Sequence, residues 1–280
     1  LTGSIHLTHA RNDILNLPWQ LAFRASSSND LLISKGLTAS LPLSPHVPTN
    51  PLPLKVLIMI SSPEDQQVKG RLNYEEEEAN IIQAFHELKM GNSVEIDFTD
   101  NGSLAALERK LAQKHYHILH IIAHGTYDEP LRTGYLMLED DLTLIGKKEK
   151  GREVARLLEK YAQHRPTLVL LASCQTAAGS SGDEFRGITN HILQAKIPAV
   201  IAMSISILDS YACAFTAQLY EQLAGQQTLP QAFQAAVLHI KEKEQTEIKT
   251  TPQYNGLSLN STLTKAANIS SHGQCRWKSR

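Results

Sequence analysis

Two largely apolar runs constrain this chain more than anything else in it: Tyr116 to Ala123, and Leu168 to Ser173. A strand with one face in water alternates apolar and polar residues. A strand in a parallel sheet covered by helices on both faces is apolar throughout. Both runs are rich in Leu, Ile and Val, and both end on residues that can do chemistry. His124-Gly125 follows the first, and Cys174 follows the second. In open α/β sheets, ligands bind in the crevice beyond the carboxyl ends of the strands. Neighbouring strands of this kind bring an imidazole and a thiol to one edge.

From Leu54 onward, strand and helix patterns alternate, as in a parallel sheet flanked by helices on both faces. The patterning predicts strands near 54–60, 93–98, 116–123, 167–173 and 197–203. Glu75 to Glu78 favour a helix start, Ile81, Phe85 and Leu88 share one helical face, and Gly91 suits the turn that follows. Further helices are predicted over 103–114, 151–163, 208–224 and 229–245, with Pro230 in the first turn of the last. Gly134–Leu138 and Leu142–Ile145, separated by Glu139-Asp140-Asp141, predict a hairpin inserted after the histidine. The expected organisation is an irregular N-terminal extension with a Pro-rich linker (1–53), one catalytic α/β domain (54–250), and a mobile Ser/Asn-rich tail (251–280).

Charge balance removes several function classes. Lys plus Arg number 27 against 28 Asp plus Glu, and no basic stripe recurs, so nucleic acid is not an expected partner. No apolar run approaches the ~20 residues that span a bilayer, and residues 1–6 do not read as a secretory signal. Three widely spaced cysteines, Cys174, Cys213 and Cys275, do not make a disulfide framework, so a reducing cytoplasm is the expected location. The chain opens on Leu1 rather than Met, and we expect it to be the C-terminal part of a longer protein.

A cysteine attacks as its thiolate and therefore needs a lowered pKa or a nearby base. His124 is the candidate base and Cys174 the candidate nucleophile. The fifty residues between them leave room for the hairpin and one crossover helix. The backbone N–H groups of Gly125 and Cys174 are natural donors to an oxyanion, and a glycine there lets a carbonyl approach closely.

These residues resemble a known family. His-Gly after one apolar strand and Cys after the next is the layout of caspase-like cysteine peptidases. The wording is most similar to the CHAT domain, a branch often found behind tetratricopeptide arrays. The matching stretches are Leu17–Leu21, Tyr116–Gly125, Leu168–Thr176 and Ile197–Met203 with Asp209, so the resemblance spans about 14 to 250. It implies a caspase-like α/β fold, a protein or peptide substrate, and a His124/Cys174 dyad with no obligatory acidic third member. No cofactor or metal is implied, and an upstream tetratricopeptide-type region is the implied regulator. Ser173 stands where alanine is more usual, and Met203–Ile207 replaces a tryptophan-bearing segment. The residue two before the cysteine helps line the specificity pocket in the family. Here it is Ala172, beside Ser173, which implies a pocket not dedicated to a charged side chain unless Glu139, Asp140 or Asp183 reaches in.

Other readings stand beside this one. Cys174 could be a small core residue, as expected of Cys213 within Tyr211–Phe215. His120 and His124 lie ~13 Å apart if one strand carries both, too far to share an ion, so His117 and His120 read as core or rim residues. A silent interaction module on the same fold is the alternative to an enzyme. An α/β-hydrolase is disfavoured because its histidine follows its nucleophile, and no Gly-x-Cys-x-Gly elbow is present.

Overall fold

The apolar runs form neighbouring parallel strands in the computed structural model. It describes residues 4–9, 32–37, 52–65, 79, 81–83, 93–128, 130–131, 133–172, 188–203, 209–250, 268–269 and 274–277. In chain order the strands are β1 (Ser4–His9), β2 (Leu32–Leu37), β3 (Leu54–Ile60), β4 (Val94–Phe98), β5 (Ile118–Ile122) and β6 (His124–Asp128). They continue with β7 (Thr133–Glu139), β8 (Gly146–Lys150), β9 (Leu168–Ala172), β10 (Ala199–Met203), β11 (Asn268–Ile269) and β12 (Gln274–Trp277). The helices are α1 (Leu104–Gln113), α2 (Gly151–Lys160), α3 (Ile188–Gln194), α4 (Asp209–Ala224) and α5 (Leu229–Thr250).

Nine strands make one sheet in the order β1-β2-β11-β12-β10-β9-β5-β3-β4, and β6-β7-β8 make a second, antiparallel one. In the large sheet every pairing is parallel except β11 with β12. Alternate residues of each central strand enter two separate cores. Val56, Ile58, Ile118, Leu170 and Ile201 pack with Phe215 and Leu219 of α4 and Phe233 of α5. Leu57, Leu119, Ile121, Val169 and Val200 pack on the opposite face with Leu107 and Leu111 of α1, Val154 of α2 and Ile192 of α3. Two-sided burial of this kind is what makes the strand sequences continuously apolar.

Helix α1 begins where Ser103 Oγ accepts the N–H of Ala106 at 3.0 Å, an N-cap that fixes its first turn. Ser103 Oγ also donates to Asp141 Oδ1 at 2.9 Å. Arg109 donates to both Asp141 oxygens at 2.8 and 3.0 Å, and these donors hold that carboxyl well below the usual carboxylate range. The start of α1 is thereby tied to the β7–β8 turn.

That turn corrects the predicted hairpin. β7 covers Gly134–Leu138, but Leu142–Ile145 belongs to the connection, and the second strand is Gly146–Lys150. Asp140 Oδ1 accepts the N–H groups of Leu142 and Thr143 and the Thr143 hydroxyl at 3.0–3.1 Å. Leu144 adopts a φ of 56°. An acidic side chain satisfying its own backbone overrides the apolar pattern. Lysines 147, 148 and 150 then charge an edge strand that hydropathy alone does not reveal.

Short strands toward both ends of the chain join the large sheet as well. Residues 1–53 contribute β1 and β2 to the large sheet, and the stretch expected as a mobile tail contributes β11 and β12. β12 runs parallel to β10, with Cys275 opposite Ile201. Backbone pairing across long sequence separations leaves no local signal in a polar segment. In the predicted 75–91 helix, residues 79 and 81–83 are helical and Ile81 is buried. Glu75 to Glu78, Phe85 and Leu88 lie outside the described residues, as do Leu17–Leu21 and Pro42 to Pro51. Among the described residues no helix is long and apolar enough to cross a membrane.

Gly102 is a glycine whose lack of a side chain shapes this end of the sheet. A Cβ there would lie 2.4 Å from Ser61 Cα and 2.8 Å from the Ile60 carbonyl oxygen. Both are backbone atoms that cannot swing aside. Gly102→Ala is expected to destabilise the fold by at least about 1–3 kcal/mol, read as a lower urea midpoint with an unchanged slope. A midpoint equal to wild type would show that this approach is looser than described.

Candidate active site

β5 and β9 are neighbours in the sheet, and their register sets Ile122 opposite Ala172. The Ala123 N–H donates to the Ala172 carbonyl at 3.0 Å, which extends the ladder by one bond. The chain then leaves the large sheet, and His124 begins β6, opposite Met137 of β7. His124 is half-buried, Gly125 is buried opposite Leu136, and Thr126 beyond them is exposed. His124, Gly125 and Ala172 are therefore brought to the same carboxyl edge. Ser173 and Cys174 lie outside the described residues, as does Asp183.

Ala172 is 8% exposed and belongs to the core packed under α4 and α5. Two of the three carboxylates that could have charged a pocket, Glu139 and Asp140, are engaged elsewhere. Glu139 is buried, with Oε1 accepting the Ser62 N–H at 2.6 Å and Oε2 accepting the Gly102 N–H at 2.9 Å. Asp140 serves the β7–β8 turn. Their places explain why acidic residues stand here without requiring a charged substrate.

Two other histidines, His117 and His120, have structural places. His117, at the amino end of β5, accepts the Lys55 N–H on Nδ1 at 2.9 Å. Burial and the nearby His115 and Lys55 push it down to about 4. His120 is wholly enclosed beneath α4, its ring edge-on to Tyr220 with centroids 6.3 Å apart. Among the described residues neither of its nitrogens has a hydrogen-bond partner, and burial pushes it down to about 3. His124 is separated from both by the bend after β5. No group of three or more His, Cys, Asp or Glu among the described residues could hold a metal ion. Cys213 is buried in α4 among apolar neighbours, the core position expected of it.

Comparison with known proteins gives one strong result. The model of the CHAT domain family matches residues 11–269, nearly the whole chain and more than the motifs alone span. A comparison with curated protein sequences returned no match. Among solved structures, the chain is similar to the Drosophila initiator caspase Dronc at 10% identity, over 70% of this chain and 78% of that one, with a TM-score of 0.36. A likeness that distant bears on neither substrate nor mechanism.

Proposed function

The chain belongs to the CHAT domain family, and from that premise we propose that it is a cysteine endopeptidase working through His124 and Cys174. One observation carries the reading. Ile122 and Ala172 are opposed in adjacent parallel strands, and His124 and Cys174 each follow that pair by two residues in the chain. Two residues reach at most ~7 Å from that pair, a spacing that supports a meeting of the two functional groups at one edge.

In the proposed reaction, His124 accepts the thiol proton and Cys174 Sγ attacks the carbonyl carbon of a peptide bond. The Gly125 and Cys174 N–H groups stabilise the oxyanion. Collapse of the tetrahedral adduct breaks the C–N bond, and His124 returns its proton to the departing amine. Water, deprotonated by His124, then hydrolyses the thioester and regenerates the thiol. A thiol in this role must stay reduced, which suits a reducing cytoplasm. An upstream tetratricopeptide-type region gating the site is part of the proposal. Full-length protein equally active with and without its trigger would remove that part. The division into extension, catalytic domain and tail also remains a proposal.

A peptidyl electrophile should form a single adduct on Cys174, absent in Cys174→Ala, and a peptide library should be cleaved by wild type alone. No adduct and no cleavage would overturn the reading in favour of a silent interaction module. With Ala172 small and both Glu139 and Asp140 engaged, the library profile should lack a strong preference for Arg, Lys or Asp before the cut. A sharp charged preference would contradict that pocket.

A further inference from the structure

We infer that Ser61 and Glu139 are positioning residues for His124, forming a bracket that fixes the bend where the chain passes from β5 into β6. The inference rests on the dyad reading above and adds the residues that hold its histidine in place. Ser61 follows β3 and is fully buried. One of its polar groups holds the chain before the bend, and the other holds the strand that pairs with the chain after it. The N–H donates to the Ile122 carbonyl at 2.9 Å, two residues before His124. The Oγ donates to the Met137 carbonyl at 3.0 Å, and Met137 is the residue opposite His124.

Glu139 holds the same place from the other side. Its carboxylate takes the Ser62 and Gly102 N–H groups, and its own N–H donates to the Gly102 carbonyl at 3.0 Å. β7 is thereby fastened to the loops after β3 and β4, next to the ladder that carries His124. A buried carboxylate spanning two N–H groups from different loops is costly unless both bonds are made, so the arrangement has one satisfied geometry. The bracket acts through where it holds residue 124, and displacements of about 1 Å in such supports cost up to about 100-fold in rate.

The test is the rate of Cys174 alkylation by iodoacetamide against pH, read by mass spectrometry on the whole chain in wild type, Ser61→Ala and Glu139→Gln. Thermal melts confirm that each variant is folded. Wild type should show an inflection well below the ~8.5 of a free thiol. Both variants should move it upward and slow alkylation near pH 6.5 by about tenfold or more. Folded variants that reproduce the wild-type profile would overturn the bracket and leave the dyad standing. A wild-type inflection near 8.5 would overturn the dyad and the bracket with it. If Glu139→Gln does not fold, Ser61→Ala, which removes one hydroxyl and keeps the N–H, decides the matter alone.

Discussion

His124→Ala is expected to lower peptide turnover by about 10²- to 10⁴-fold while leaving the melting temperature near that of wild type. The two halves of that result have separate causes. Catalytically, the imidazole is the group proposed both to take the thiol proton and to return it to the leaving amine. The two histidines of the preceding strand segment cannot substitute, because His117 is spent on the Lys55 N–H and His120 is sealed under α4. Structurally, His124 is half-buried at the first position of β6, and its backbone pairing with Met137 is kept in the alanine variant. The measurements are kcat/KM on a cleaved peptide and a thermal melt. Turnover within a fewfold of wild type would remove His124 from the mechanism. A collapse of the melt would make it a structural residue instead.

Mild acid should weaken the fold steeply, and for a reason unrelated to catalysis. His117 and His120 are held neutral in the folded chain, at about 4 and about 3, whereas an unfolded histidine titrates near 6.5. Below pH ~6.5 the unfolded chain therefore binds more protons. The stability present above that pH is lost as pH falls toward the folded values. Each histidine contributes a slope approaching 1.36 kcal/mol per pH unit, so moving from pH 7 to 5 should cost about 2 kcal/mol apiece. Carboxylates held down by cations, Asp97 by Lys110 and Asp141 by Arg109, act in the same direction only at lower pH. Urea midpoints at pH 7, 6 and 5 measure the effect. His120→Leu should remove about half of the pH dependence and raise stability at pH 7 by about 1 kcal/mol, since two unpartnered nitrogens leave the core. A flat midpoint over this range would show that both histidines find partners when charged.

The parts of this molecule that could be read in the sequence are those whose burial is local and periodic. β5 and β9 announce themselves because residues on both of their faces enter a core, and α1 because Ser103 precedes Leu107 and Leu111 at helical spacing. The carboxyl edge as the place of His124 follows from the same runs. What hydropathy hides are elements held by backbone pairing with distant partners: β8 with its lysines, β6 with Gly125 and Thr126, and β11 and β12 in a polar stretch. Ser61 and Glu139 are hidden for a related reason. A serine after a strand and an acid before Asp140-Asp141 look like turn residues, and only the folded register shows that both are buried and hydrogen-bonded beside the histidine's strand.

The central claim, an imidazole within reach of a reactive sulfur, is tested most directly by titrating the Cys174 thiol in wild type and in His124→Ala. Alkylation followed site by site keeps the buried Cys213 from contributing. The account predicts a Cys174 titration well below ~8.5 in wild type that returns to about 8.5 when the imidazole is removed. The same value near 8.5 in both proteins would contradict it.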